Sequence, residues 1–552
     1  MQGLPSNTTL AATAKDFIQH LFASDPVYAT AVGEHGHDHL LPVHDKTSRA
    51  RATGGYISLL DRFEAIEEAG LDPADRLDLR VLRNGAKAAL FELEDERPWQ
   101  NDPNFYIRQA GESVSGLLKR DFAPAAQRYE NALKRIAQFP AYFDQATHNL
   151  IRVPQPHVQV ALLQVDGLSQ FLEETLLSQI ESQAPALLER ARKAVDEATT
   201  ALVAFEKYLK GLAHKPGGDW RLGDELYAEK LENALVAGLT PAKLNEWAQS
   251  SLRTNRARME EVAKQMGASS VREALNRIEQ DKPGRNDLLD RCKHYCKELE
   301  AFLRSHDLVT MPDEIALKVD LTPEFNRGVP GASCDPPGVL EAHLPTYFYV
   351  TPIPDSWTPE QTDDYLREYN EWQLRILAVH EALPGHYLQL WHANRNGRAV
   401  PNILWNGAFA EGWAVYSEQL MLEAGLNTDP RHELAQLKFW QRAVLNAIID
   451  AGLHAGGMKE EEALRLLLEE GYQTKKVAEE KIKRAQVTSV QLSTYFVGWQ
   501  QIVRLREEQK AARGPAFNLR EFNDALLSHG TPPLPYVRDI FFGEVPASEP
   551  RA

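Results

Sequence analysis

The chain of 552 residues carries 61 Lys and Arg against 78 Asp and Glu, a formal net charge of −17, with 43% apolar and 25% charged residues. That balance is ordinary for a globular protein and disfavours nucleic acid or an anionic membrane surface as partner. No run of 18 apolar residues occurs, so no segment reads as membrane-spanning, and the length admits either two lobes or one large helical unit.

Residues 1–13 lack the basic start and apolar core of a signal peptide. Cys292 and Cys296 stand four apart on an expected helix, where they do not readily close a disulfide, and Cys334 leaves the count odd. Together these features imply a reducing, cytoplasmic location.

Residues 9–23 predict an amphipathic helix, with Leu10, Phe17, Leu21 and Phe22 near one face. The His-rich stretch 33–39 has glycines at both sides and reads as a loop rather than a metal site. Residues 46–94 predict helix, turn, helix, with Asp72 as cap and Pro73 at the first helical position. Helical periodicity returns over 124–148 and 159–213, where Pro185 divides or kinks the second stretch. His214-Lys215-Pro216-Gly217-Gly218 is the clearest linker in the first half. Thr240-Pro241 caps and starts a helix to about 267, and 270–306 adds more helix.

The pattern changes at about 310–357. Residues 315–320 alternate, 322–338 are rich in Pro and Gly, and Thr346-Tyr347-Phe348-Tyr349-Val350 is a compact strand signal. A small sheet is expected there, with a strand edge available to an extended peptide. Tyr347 and Tyr349 share one strand face and are candidates to line a substrate cleft; the same residues also fit a packed core.

Helix resumes at 358 and leads into His380-Glu381-Ala382-Leu383-Pro384-Gly385-His386. A His-Glu pair followed closely by His is raw material for a zinc site in which two neutral imidazoles bind and the carboxylate takes a proton from water. The histidines are six apart, about 120° around an ideal helix. They cannot share one ion unless the helix is interrupted. Pro384 and Gly385 supply a break that lets His386 turn back towards His380; a plain helix end with two unrelated surface histidines has the same sequence. Downstream, Glu411 in Glu411-Gly412-Trp413-Ala414-Val415-Tyr416 is the expected third ligand of a His2Glu catalytic set. Glu418, two turns on, falls behind it as support. Both glutamates also fit solvated helix positions.

These motifs, with Asp450-Ala451-Gly452-Leu453-His454 and Gln491-Leu492-Ser493-Thr494-Tyr495-Phe496-Val497-Gly498, resemble the bacterial family catalogued as domain of unknown function 885. That family is similar in fold to the thermostable metallocarboxypeptidases that carry H-E-x-x-H. The specific motifs cover about 345–535. Two departures stand out: Ser489-Val490 replaces the family's Pro-Gly, and Phe522-Asn523-Asp524 replaces its F-H-D, leaving any role of that histidine open at Asn523.

The expected fold is mostly α, a large multi-helix metallocarboxypeptidase-like architecture with a deep cleft and one small β-sheet. It forms one catalytic unit with approximate lobes 1–310 and 311–552. The resemblance and the chemistry together imply one Zn2+ per chain on His380, His386 and Glu411, with Glu381 as general base. His454 and Tyr495 are candidate donors to the oxyanion; a backbone-satisfied helix-end histidine and a core tyrosine fit those positions too. Arg442 is a candidate for a substrate carboxylate, or else an ion-pair partner. The expected partner is a peptide or small amide, with no nucleic acid and no membrane. A silent helical peptide-binding protein and a zinc amidase or esterase are the alternatives.

Overall fold

The computed structural model describes residues 3–215, 217–323 and 331–542. The linker's Pro216, part of the Pro/Gly-rich stretch and the tail lie outside the described residues. The described chain is mostly helical with one three-stranded sheet. It divides into two units: Met1–Leu222 with Pro337–Leu344, and Gly223–Pro336 with Pro345–Ala552. The boundary falls beside the 214–218 linker. Residues 223–310, which the sequence groups with the first lobe, therefore pack with the second unit.

The first unit is built from α1 (Thr8–Ser24), α2 (Lys46–Glu64), α3 (Pro73–Phe91), α4 (Pro103–Leu118), α5 (Ala125–Ile136), α6 (Phe139–Asn149), α7 (Gln155–Gln170) and α8 (Leu188–Leu212). The start signals act where the sequence places them: the Asp72 carboxylate accepts the Asp75 N–H, with Pro73 opening α3. Chain direction changes before α8, at Ala184 and Pro185. Buried Phe17, Phe63, Tyr106, Phe139, Phe143 and Phe205 form its core, each worth roughly 1.5–3 kcal/mol on burial. The 33–39 loop closes on itself: His35 Nδ1 lies 2.9 Å from Asp38 and Nε2 lies 2.9 Å from Glu341.

The second unit contains α9 (Gly223–Leu235), α10 (Pro241–Gln265), α11 (Leu288–His306), α12 (Pro359–Glu368), α13 (Glu371–Glu381), α14 (His386–Arg395), α15 (Gly407–Glu423), α16 (Pro430–His454), α17 (Lys475–Val487) and α18 (Gln491–Arg513). Helix α10 lies along α16, and α15 lies along α18. Met259, Val262, Leu275, Ile376, Leu434 and Leu437 belong to one apolar cluster.

Two helix breaks differ from the periodicity. The stretch into His380 is interrupted at Tyr369 and Asn370, where the Asn370 side chain caps α13 by accepting the N–H groups of Trp372 and Gln373. The stretch 476–512 is interrupted before α18. Val490 there adopts a left-handed φ of 67°, a conformation costly for a β-branched residue, and it stands where the family carries Gly. Asp450 holds this turn, its two oxygens accepting Val490 N–H at 3.2 Å and Ser493 Oγ at 2.8 Å.

The sheet has the order β1 (Leu317–Leu321), β3 (Thr346–Val350), β2 (Ala332–Asp335), with β1 parallel and β2 antiparallel to β3. Strand β3 is central, so both of its edges are spent on partners. The strand edge expected for an extended peptide therefore falls on an outer strand, β1 or β2, and not on the Tyr347–Tyr349 strand. Strand β2 comes from a stretch whose Pro/Gly content masked it.

Candidate metal centre

The interruption between α13 and α14 makes the centre. Helix α13 ends at Glu381, the Leu383–Pro384 peptide is cis, and α14 opens at His386. Gly385 donates its N–H to the Val379 carbonyl at 3.0 Å. A Cβ on Gly385 would sit 1.9 Å from the His380 oxygen, so only glycine permits this doubling back. Trp413 Nε1 donates to the Pro384 carbonyl at 2.8 Å, tying the turn to α15. The two imidazoles end perpendicular, with ring centres 4.8 Å apart.

Helix α15 supplies Glu411. Its Oε2 lies 3.6 Å from His380 Nε2 and 3.6 Å from His386 Nε2. Those separations are long for hydrogen bonds, and Glu411 Oε2 is buried without a hydrogen-bond partner. They suit co-ligands: donors about 2.0–2.1 Å from a tetrahedral zinc stand roughly 3.3–3.4 Å apart. All three donor atoms lie within 4.8 Å of one another, and this is the only such group of metal-ligand spacing among the described residues. The residues therefore fit a divalent metal of the zinc type. Burial alone would raise the Glu411 pKa, but the two imidazoles hold it far below the carboxylate range. Burial alone would lower His380, but Glu411 and Glu418 push it well above its ordinary value.

Behind His380, Nδ1 lies 2.7 Å from Glu418 Oε1. Glu418 is fully enclosed and takes a further hydrogen bond from Gln436 Nε2. This carboxylate–histidine arrangement fixes the Nδ1–H tautomer and turns the Nε2 lone pair towards Glu411.

Glu381, next to His380, is half-buried; its Oε2 accepts the Cys334 N–H of β2 at 2.8 Å, and its charge acts on His380. Tyr495 of α18 accepts long contacts from Arg484 and Gln491, both 3.4 Å, which leaves its own O–H to donate. Burial and the negative charge of Glu411 raise the Tyr495 pKa, so the phenol stays protonated near Glu411. The approach depends on paired glycines: a Cβ on Gly498 would sit 1.9 Å from the Ala408 oxygen, and one on Gly412 would sit 2.3 Å from the Gly498 carbonyl carbon.

The remaining candidates make the following contacts. His454 Nε2 faces the Ala485 and Thr488 carbonyls at 2.7 and 2.9 Å, and its ring stacks on Tyr227 at 5.8 Å. That is a packing histidine, and no oxyanion role is assigned to it. Tyr347 and Tyr349 stack on each other at 5.0 Å. Arg442 Nη1 donates to Glu368 at 2.9 Å. Asn523, at the family's His position, is buried; it accepts from Tyr416 Oη at 3.0 Å and donates to the Leu308 carbonyl at 2.9 Å. Its role is to join α15 to the C-terminal helices, within the second unit.

Gln436 and the Cys334 amide escaped the sequence reading. Each reaches the site through tertiary contact, and no spacing within one element signals it.

Fold and site together define a mostly helical protein with a His2Glu candidate metal centre. The family model for bacterial proteins of unknown function (DUF885) matches residues 26–540, and the chain belongs to that family. No curated protein matches the chain. A solved structure described as a "putative lipoprotein of unknown function" from Shewanella oneidensis is 28% identical, with a TM-score of 0.83 over 97% of this chain and 100% of that one. A second, described as a "putative lipoprotein" from Colwellia psychrerythraea, is 18% identical with a TM-score of 0.80, covers 96% of this chain and 97% of its own, and shows the fold alone. These descriptions overturn the cytoplasmic assignment. The cysteine argument behind that assignment is weak on physical grounds: burial pushes the Cys292 thiol up and the Cys296 thiol to about 12, so neither needs a reducing compartment to stay free. Among the described residues no helix is long and apolar enough to cross a membrane.

Proposed function

We propose that the chain is a zinc-dependent hydrolase of peptides, working outside the cytoplasm as the descriptions of its structural relatives suggest. The observation that carries this reading is Glu411 Oε2, a buried carboxylate oxygen with no hydrogen bond and two imidazole nitrogens at 3.6 Å. Zinc held by His380, His386 and Glu411 supplies Lewis acidity, polarising a carbonyl and lowering the pKa of water to about 7. Glu381 takes the proton of the attacking water and returns it to the leaving nitrogen as the C–N bond breaks. The Tyr495 O–H steadies the oxyanion that forms between those steps. Glu418 and Gln436 keep His380 in the ligating tautomer and orientation.

The test is a mixed-peptide library incubated with the zinc-reconstituted protein, with products read by mass spectrometry. The expected result is cleavage by the wild type and a ~10²–10⁴-fold loss in Glu381→Gln with zinc retained. Stoichiometric zinc with no cleavage across the library would favour a helical peptide-binding protein instead.

A further inference from the structure

Helices α12, α16 and α17 bring together a concentration of cations that the proposed chemistry does not use. Arg442 and Lys438 share Glu368, at 2.9 and 3.1 Å, with Glu279 adding a 3.3 Å contact to Lys438. Lys481 on α17 has no carboxylate within ion-pair reach among the described residues. Arg484, one turn along, spends one nitrogen on Gln491 and a long contact on Tyr495. Two of these four cations thus share Glu368, and neither Lys481 nor Arg484 is ion-paired among the described residues.

This charge lies beside the metal-ligand cluster. The Phe439 ring is 6.0 Å from the His380 ring, and the Arg442 guanidinium is 5.4 Å from the Phe439 ring. Tyr495 links Arg484 on one side to Glu411 on the other. Two ring contacts in series make a span that about three extended residues cover, at roughly 3.3–3.6 Å each.

We propose that Lys481 and Arg484, with Arg442 behind them, receive the free α-carboxylate of a peptide, so that the enzyme removes short fragments from carboxyl termini. This rests on the hydrolase reading of the same site. The supporting logic is charge balance. On a chain of net charge −17, the average field disfavours an anionic chain end, so holding one calls for a local concentration of cations. Lys481 is half-buried, and burial together with Arg442 and Arg484 drives its ammonium pKa well down. A carboxylate arriving there relieves that repulsion and gains charge-assisted hydrogen bonds. A substrate without that group gains nothing, so the cluster discriminates between chain ends and chain interiors. Water still adds across the C–N bond as before; the cations fix which bond is presented.

The experiment is calorimetric titration of the zinc-loaded Glu381→Gln protein with N-acetyl-Ala-Ala-Leu and, separately, its C-terminal amide. The acid is expected to bind at least ~30-fold more tightly than the amide, and Lys481→Met or Arg484→Gln to reduce that ratio below about 3-fold. Lys481→Arg is expected to keep most of the preference. Because both ligands are titrated into one protein, the ratio is insensitive to partial misfolding. Equal binding of acid and amide, or a preference that survives Lys481→Met, would overturn the proposal. Acid-selective binding with no turnover by the wild type would overturn the hydrolase reading and uphold the carboxylate subsite.

Discussion

Single side chains divide into those proposed to meet a metal and those that hold them. Glu418 belongs to the second kind: fully enclosed, it touches His380 Nδ1 at 2.7 Å and accepts from Gln436. Replacing it with Gln removes the charge that favours the ligating tautomer. Zinc affinity, measured by chelator competition, is expected to fall about 10–100-fold with the fold intact; an unchanged affinity would remove Glu418 from the account. Tyr495 and His454 give an opposed pair. Tyr495→Phe deletes the O–H proposed to meet the oxyanion, and kcat is expected to fall about 10²–10³-fold with little change in KM. His454→Gln breaks a ring stack and two carbonyl contacts, so it is expected to lower Tm while kcat is largely kept. The reverse outcome in steady-state kinetics would exchange their roles.

At the level of helices, the site depends on how closely α15 and α18 cross. A methyl on Gly498 would overlap the Ala408 carbonyl at 1.9 Å, and backbone cannot yield as a flexible side chain does. Gly498→Ala is expected to cost at least about 1–3 kcal/mol in chemical denaturation and to weaken zinc binding by moving Glu411; unaltered stability would show that the helices separate freely. Much of this site is legible in the sequence because its information is local. His380, Pro384, Gly385 and His386 lie within one turn and a half, and the break needs only the chemistry of Pro and Gly. The same holds for the caps at Asp72 and Thr240, each read from adjacent residues and each observed accepting an N–H. What was hidden is nonlocal. Strand β2 has no periodic signal in four residues, and it exists because β3 offers an edge. The α18 start is set by Asp450, forty residues earlier, holding a left-handed Val490. Which strand stands at the edge of the sheet is not legible either, because strand order is a tertiary property. His454 was given a chemical role by its motif, whereas its ring faces carbonyls that come from α17 and the turn after it.

Across the whole chain, the first unit contains a residue range that is far away in sequence. Residues 337–344 leave the second unit between β2 and β3 and join the first, where Glu341 meets His35 at 2.9 Å. Burial would lower the His35 pKa, but Asp38 and Glu341 outweigh it and raise it to about 9. A raised folded value means this contact stabilises fully below about 6.5 and fades as pH rises towards 9. Hydrogen exchange of 337–344, corrected for intrinsic rate, is expected to show protection at pH 6 that weakens by pH 9.5, and His35→Gln is expected to flatten that dependence. Constant protection would place the anchor elsewhere. The net charge of −17 disfavours general affinity for anions, so the proposed carboxylate preference rests on the local cation cluster beside the candidate centre.

The central claim is that His380, His386 and Glu411 converge on one cation. Its most direct test is metal content by mass spectrometry of the purified, zinc-equilibrated protein beside His386→Ala and Glu411→Gln. The account predicts close to one zinc per chain in the wild type and loss of that zinc in both variants while helical content is kept. Wild-type protein that takes up no zinc, or variants that bind it as well as the parent, would contradict it.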